Sequence, residues 1–253
     1  MPATPAWPPH SLPRLFVDQP LAEGLALSLE GVPANYLGNV LRLSAGAEVK
    51  LFDDHSGEWL ARIEEAGRKR VRLAIIAQLR PREAGPDLWL LFAPLKRDPV
   101  DWLIEKATEL GIARLVPVIT QRTMADRINL ERLRANTIEA AEQCDRTALP
   151  QLAEPVKLPA LLKAWPGDRT LLFADEMGGT PLAQAAGGGP AAILIGPEGG
   201  FTDEERAMIR ALPAARAVAL GPRILRAETA AVAAIALWMA AAGDWSRPPR
   251  APA

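Results

Sequence analysis

Over the first eighty residues the apolar positions come in short runs that alternate with polar ones. "RLFV", "EVKLFD", "EWLARIEE" and "RVRLAIIAQL" are separated by polar or glycine-containing breaks, and "DDHSG" has the composition of a hairpin turn. This pattern predicts a β-rich front. "VPANYLGNVLRL" keeps a different beat: Tyr36, Leu37, Val40, Leu41 and Leu43 recur at helical spacing. A small barrel carrying one helix accommodates both, and "RPREAGPD" (80–87) reads as a linker.

From Leu88 the runs lengthen. "LWLLFAP" is nearly continuously apolar, as a strand buried on both faces requires. "DPVDWLIEKATELG" comes next, with one apolar helical face (Val100, Leu103, Ile104, Ala107, Leu110) and Gly111 where a carboxyl-terminal cap belongs. "ARLVPVIT", "RTLLFAD", "AAILIG" and "RAVALG" read as strands; "NLERLRANTIEAAEQC", "DEERAMIRAL" and "ETAAVAAIALWMAAA" read as helices. Strands alternating with helices predict a parallel α/β sheet covered on both sides.

Composition narrows this picture little. The 253 residues suffice for one large domain or two smaller ones, and 29 basic against 30 acidic residues leave a formal charge of −1. Overall charge therefore selects no partner. The single cysteine, Cys144, excludes an intrachain disulfide and a cysteine metal cluster, and two unrelated histidines, His10 and His55, speak against a histidine metal site or a Ser-His-Asp triad. No metal is expected. The amino terminus lacks the apolar core of a signal peptide, and the longest uncharged stretch, residues 229–243, is fifteen residues, too short for a bilayer. The expectation is a cytoplasmic protein without membrane contact, with a flexible tail over 246–253.

Two stretches carry candidate chemistry. In "LIGPEGGFTDEE" (194–205), Thr202 and Glu205 have capping-box spacing, so the turn Gly196–Gly200 joins a strand's carboxyl end to a helix. Ligands bind at that edge of open α/β sheets. The turn lacks the lysine and hydroxyl of a phosphate loop, and GPEGG is not the dinucleotide fingerprint. In isolation its default reading is a structural βα turn. "ALGPRILRAETAAVAAIAL" (219–237) repeats strand, Gly-Pro turn and helix, with Arg223 and Arg226 flanking Ile224 and Leu225. Two arginines among apolar residues beside a glycine turn are costly unless paired with an anion: Glu228 in a structural reading, an RNA phosphate or a developing base anion in a functional one. The helix they open is apolar on nearly all sides, which calls for burial by another subunit or at the centre of one chain.

Together these stretches resemble the signature pair of the ribosomal RNA small subunit methyltransferase E family, within the SPOUT superfamily. "PLKRDPVDWLIEKATELGIARLVPVIT", "EQCDR", "PRLFV" and "YLGNVLRLSAGAEVKLFD" are similar to its other segments, so the resemblance spans residues 13–240. It implies a PUA-like RNA-binding β-barrel (1–80) followed by a SPOUT α/β methyltransferase domain (81–245) tied in a carboxyl-terminal trefoil knot. It also implies a homodimer through the SPOUT domain and S-adenosylmethionine as cofactor. The implied reaction is methylation of uridine N3 in 16S ribosomal RNA of the small subunit. Tyr36 stands where the family often has histidine.

The resemblance also implies roles for single residues, held here as expectations. Ile195, Gly196, Gly199, Gly200, Leu220, Gly221, Ile224 and Leu225 hold the cofactor, with Leu172 in a third wall. Arg226 stabilises the developing uracil anion, and Glu198 is a candidate base competing with a structural role in its turn. Arg14, Arg42, Arg97, Arg122, Arg146 and Arg223 meet RNA. The alternatives are a SPOUT enzyme acting on transfer RNA or a ribose 2′-hydroxyl, and a non-catalytic RNA-binding or ribosome-assembly factor.

Overall fold

A computed structural model describes residues 12–67, 69–94, 97–124 and 128–248, without the side chains of residues 97 and 98. The chain divides into two units. One comprises the residues up to Ala84 together with Asp145–Ala148, and the other Gly85–Cys144 with the residues from Leu149 onward.

The first unit contains β1 (Arg14–Phe16), β2 (Ala26–Glu30), α1 (Gly31–Asn35), β3 (Glu48–Asp53), β4 (Gly57–Ala66) and β5 (Arg70–Pro81). Its sheet runs β1-β3-β4-β5-β2, parallel between β1 and β3 and antiparallel elsewhere. Three register shifts between β4 and β5 mark bulges, which deepen twist and curl the sheet. The expected barrel is thus an open, curled sheet with β1 and β2 at its edges. Alternate residues such as Leu27, Leu29, Val49, Leu51, Val71, Leu73 and Ile75 fill its concave side.

The helical stretch departs from its predicted phase. After α1 the chain makes a π turn over Tyr36–Val40, closed by Leu41 N–H donating to the Tyr36 carbonyl at 2.9 Å. A π turn holds an extra residue, which rotates the succeeding side chains about the helix axis. Leu37 is fully buried while Val40 turns outward, 61% exposed.

Glu58 is the electrostatic centre of this unit. Its buried carboxylate accepts from Arg14 Nε at 2.5 Å and from Arg80 Nε and Nη2, both at 2.9 Å. The Arg14 guanidinium also lies 3.7 Å from the centre of the Phe52 ring and donates to the Arg146 carbonyl. Arg146 itself pairs with Glu83 at 3.0 Å. Arg14 and Arg146 were expected at an RNA surface, but their side chains are only 6% and 8% exposed. Each guanidinium is spent on a carboxylate, because burying it unpaired would cost too much.

The second unit holds β6 (Leu88–Phe92), α2 (Arg97–Glu109), β7 (Arg114–Ile119), α3 (Leu130–Gln143), β8 (Gln151–Leu152), β9 (Val156–Lys157), α4 (Leu158–Lys163), β10 (Thr170–Ala174), β11 (Thr180–Pro181), α5 (Leu182–Ala185), β12 (Ala191–Ile195), α6 (Asp203–Arg210), β13 (Ala215–Ala219) and α7 (Ala227–Ala241). The sheet order is β11-β13-β10-β12-β6-β7-β8, with every pairing parallel. The later strand β13 therefore lies between β10 and β11, which precede it in the chain. The period-2 alternation of side chains separates two cores. Leu88, Leu90, Phe92, Leu172, Ile193 and Ile195 pack with α2 and α7, while Leu91, Leu171, Phe173, Ala192 and Leu194 pack with Leu158, Leu162 and Ile209. At the strands' starting edge Arg169 lies 3.8 Å from the Trp89 ring centre and donates to the Asp87 carboxylate at 2.6 Å and the Ala191 carbonyl at 3.0 Å. Among the described residues no helix is long and apolar enough to cross a membrane.

Burial raises the Glu58 carboxyl, but hydrogen bonds from Arg80 and Arg14 outweigh it and hold the group below its ordinary 4.5. A carboxyl lowered on folding stabilises the fold fully above about pH 4.5 and loses that contribution as pH falls through its folded value. Glu58→Gln is expected to cost about 3 kcal/mol at neutral pH by stranding two guanidiniums. Urea titrations at pH 7 and in the acid range should also show that its stability declines less than that of the wild type on acidification.

Candidate functional site

β10, β12 and β13 run parallel as neighbours and end together at Ala174, Ile195 and Ala219. The three turns that leave them enclose a cavity of about 510 Å³, within the roughly 300–1,000 Å³ usual for small-molecule sites. It lies at the carboxyl edge of the sheet, where an open parallel sheet receives ligands.

The first turn is built on Asp175. Its fully buried carboxylate accepts from Met177 N–H at 3.0 Å, Arg206 Nε at 3.0 Å and Arg210 Nη2 at 2.7 Å. Burial raises this carboxyl, and the contacts from Arg210, Met177 and Arg206 reverse that shift, so it stays ionised below the ordinary carboxylate range. Its own N–H donates to the Val218 carbonyl at 3.2 Å, which ties the first turn to β13.

The second turn, Gly196–Gly200, closes through Gly200 N–H donating to the Pro197 carbonyl at 2.9 Å, with Gly200 at φ +68°. Gly196 packs closely on Phe201: a Cβ would stand 3.1 Å from the ring, which would have to shift by a few tenths of an ångström. The predicted capping box opens α6: the Thr202 hydroxyl accepts from Glu205 N–H, and Glu205 accepts from Thr202 N–H at 3.1 Å. The other Glu205 oxygen accepts from Gln121 N–H at 2.7 Å, so one buried carboxylate fastens the turn after β7 to the start of α6. Arg122 adds a bond from Nη1 to the Gly199 carbonyl at 2.6 Å.

The third turn has Gly221 at φ +106°, a conformation L side chains rarely adopt, with nothing within 4 Å of where a Cβ would stand. Arg226 is the N-cap of α7, and its carbonyl accepts from Ala230 N–H at 2.8 Å. Arg223 and Arg226 are exposed on the lining. Neither makes an ion pair or side-chain hydrogen bond among the described residues, so Glu228 is not their partner. Exposure removes the desolvation cost that burial among apolar residues would impose. Ile224, between them, is 83% exposed.

Of the residues singled out in the sequence, the cavity gathers Ile195, Gly196, Glu198, Gly200, Leu220, Gly221, Arg223, Ile224, Leu225 and Arg226. Leu172 lies in the core beneath, on the same face as the lining residue Ala174 but two residues further from the strand's carboxyl end. Gly199 also stands off the lining and faces the Arg122 side chain. Arg42 is exposed at φ +55°, and the side chain of Arg97 lies outside the described residues. Sequence reasoning missed Glu176 and Arg206 on the lining, and the role of Glu205 beyond its cap. The capping box pointed to one Glu205 contact, but no local pattern signals the bond to Gln121, eighty-four residues away. No group of three or more potential metal ligands occurs among the described residues.

A parallel sheet with a glycine-turn cavity at its carboxyl edge, joined to a curled β unit, matches a known pairing of domains. Residues 82–239 match the model of the RNA methyltransferase domain, and residues 34–76 that of the RNA methyltransferase PUA domain. The fold and site thus define an RNA methyltransferase of α/β type with a PUA-like front unit. The chain belongs to the ribosomal RNA small subunit methyltransferase E family: it is 31% identical over 229 residues to the member from Rickettsia conorii, covering 88% of this chain and 93% of that protein. The family member from Neisseria gonorrhoeae, solved with S-adenosylmethionine, superposes with a TM-score of 0.86 at 28% identity, over 92% of this chain and 99% of that one. A Legionella pneumophila methyltransferase solved with the same cofactor gives 0.82 at 30% identity, over 92% and 99%.

Glu205→Ala unfastens the β7 turn from α6 and strands the Gln121 and Thr202 amides. Hydrogen exchange at residues 120–122 and 199–202 should accelerate about tenfold or more, with a stability loss of about 1–3 kcal/mol. Unchanged exchange in both segments would show that the carboxylate does not join them.

Proposed function

We propose that the chain methylates N3 of a uridine in 16S ribosomal RNA of the small subunit, using S-adenosylmethionine. The observation that carries this reading is the glycine-turn cavity with two unpaired arginines at its mouth. S-adenosylmethionine has no phosphate, so it asks for backbone polar groups beside apolar walls rather than a lysine nest. The cavity fits that need: Ile195, Phe201, Val218, Leu220 and Leu225 are apolar, and Gly196, Gly200 and Gly221 leave backbone uncovered. When bound, the cofactor supplies an electrophilic methyl group on a sulfonium centre.

The chain's own residues do the rest. Uridine N3 carries a proton and becomes nucleophilic as that proton leaves. Arg226, fixed at the head of α7 and free of other partners, holds the negative charge that develops on the uracil oxygens. Glu198, on the exposed part of the second turn, is the candidate proton acceptor. Arg42 and Arg223, both exposed, are assigned to RNA phosphates, whereas Arg122 is engaged with the Gly199 carbonyl.

The wider organisation is proposed with it. Residues 1–80 serve as the PUA-like RNA-binding domain, 81–245 as the SPOUT domain and 246–253 as a tail. A trefoil knot is supported by the place of β13 between β10 and β11. A homodimer through the SPOUT domain is supported by the outer side of α7, where Val232, Ala233, Ala236, Leu237 and Ala240 remain partly or fully exposed although apolar. A ribosomal substrate places the protein in the cytoplasm.

The direct test is methyl transfer from labelled S-adenosylmethionine to small ribosomal subunits lacking the modification, read by nucleoside mass spectrometry. The expected product is 3-methyluridine; another methylated nucleoside would reassign the base or the RNA. Arg226→Ala should lower turnover about a hundredfold while cofactor affinity changes less than threefold, as removing a transition-state contact does. Gly221→Val should weaken cofactor binding more than tenfold, because a β-branched residue cannot hold φ near +106°. Retained binding in that variant would remove the third turn from the cofactor site.

A further inference from the structure

We propose that Glu176 recognises the ribose diol of the nucleoside cofactor. The inference rests on the reading of this cavity as the S-adenosylmethionine site and assigns one side chain within it. Among the described residues three carboxylates line the cavity. Asp175 is fully buried and saturated by Met177 N–H, Arg206 and Arg210. Glu198 is exposed, and no side-chain hydrogen bond holds it among the described residues. Glu176 alone is both held and open. Arg206 Nη2 donates to its Oε1 at 3.1 Å, while Oε2 has no protein partner among the described residues and the side chain is 47% exposed.

The second turn supports its position. A Cβ on Gly200 would stand 2.8 and 3.0 Å from the two Glu176 carboxylate oxygens, so the glycine leaves the space that this carboxylate occupies. Arg206 is itself fixed, with Nε on Asp175 at 3.0 Å and Nη1 on Asp203 at 3.2 Å. The cavity therefore presents a pre-placed acceptor.

A nucleoside sulfonium cofactor offers three donors to such an oxygen: the vicinal ribose hydroxyls, the adenine amino group and the amino-acid ammonium. The ammonium would lie beside the Arg206 guanidinium and be repelled by it. The adenine edge is served by backbone groups of the glycine turns. Two adjacent neutral hydroxyls match a carboxylate without adding charge, which is how acidic side chains commonly take a ribose.

Calorimetry separates these partners with S-adenosylmethionine, 5′-methylthioadenosine, which keeps the ribose and lacks the amino acid, and 2′,3′-dideoxy-5′-methylthioadenosine. Glu176→Ala should weaken the first two alike, about ten- to a hundredfold, as loss of a hydrogen bond to a charged group does. Glu176→Gln should fall between, and neither substitution should weaken the dideoxy compound further. A loss confined to S-adenosylmethionine would assign the carboxylate to the ammonium and overturn the proposal. So would an equal loss with the dideoxy ligand, which indicates a contact with the adenine amino group or a reshaped cavity, or no loss at all. If the wild type bound none of the three, the cofactor reading itself would fall.

Discussion

The cavity depends on one buried negative charge. Asp175 stands at the end of β10, next to β12 on one side and β13 on the other, and a carboxylate there needs cations or amides around it. It draws Met177 N–H, Arg206 and Arg210 onto itself, while its backbone reaches Val218. Those contacts come from all sides of the cavity: the turn after β10, the helix after β12, and β13. Each turn would otherwise be a short irregular segment with its own freedom. Contacts to the Asp175 carboxylate and its backbone N–H hold the first turn, α6 and the end of β13 together before any ligand arrives, which lowers the ordering cost of binding.

The same logic sorts the arginines. Arg14, Arg80, Arg146 and Arg169 are engaged with carboxylates in or near the interior and do architectural work. Arg223 and Arg226 are exposed on the cavity lining and unpaired among the described residues. In composition they are indistinguishable, and a near-neutral overall charge conceals the division. A guanidinium is available to an external anion only when no internal carboxylate has claimed it. In the first unit, Glu58 and Glu83 between them have claimed Arg14, Arg80 and Arg146 in this way.

Much of the architecture was legible from period alone. The runs at β6, β10 and β12 are apolar enough to demand a sheet covered on both faces, and Thr202 with Glu205 marked the start of α6 correctly. Legibility failed where contacts link residues distant in sequence. Arg14 and Glu58 are 44 positions apart, and Gln121 and Glu205 are 84 apart, so no local pattern reports them. Leu172 lies beneath the cavity for a smaller reason: it shares a face with the lining residue Ala174, and only the sheet says how far from its carboxyl edge the cavity reaches. The π turn at Tyr36–Val40 is a third kind of miss, since it breaks the 3.6-residue period on which the helical expectation for Val40 rests.

The sheet order also sets a timetable. β10 and β11 leave the ribosome before β13, yet β13 lies between them, so β11 has no neighbour and one edge of β10 stays bare until residues 215–219 have been made. A bare parallel edge is a hazard during synthesis, because it templates pairing with other chains. The third wall of the cavity, residues 220–226, is translated later still, and nothing upstream can substitute for it. Nascent chains that stop short of residue 226 thus lack part of the cavity's third wall, and any stabilisation by binding reaches only molecules whose last strand has already found its slot.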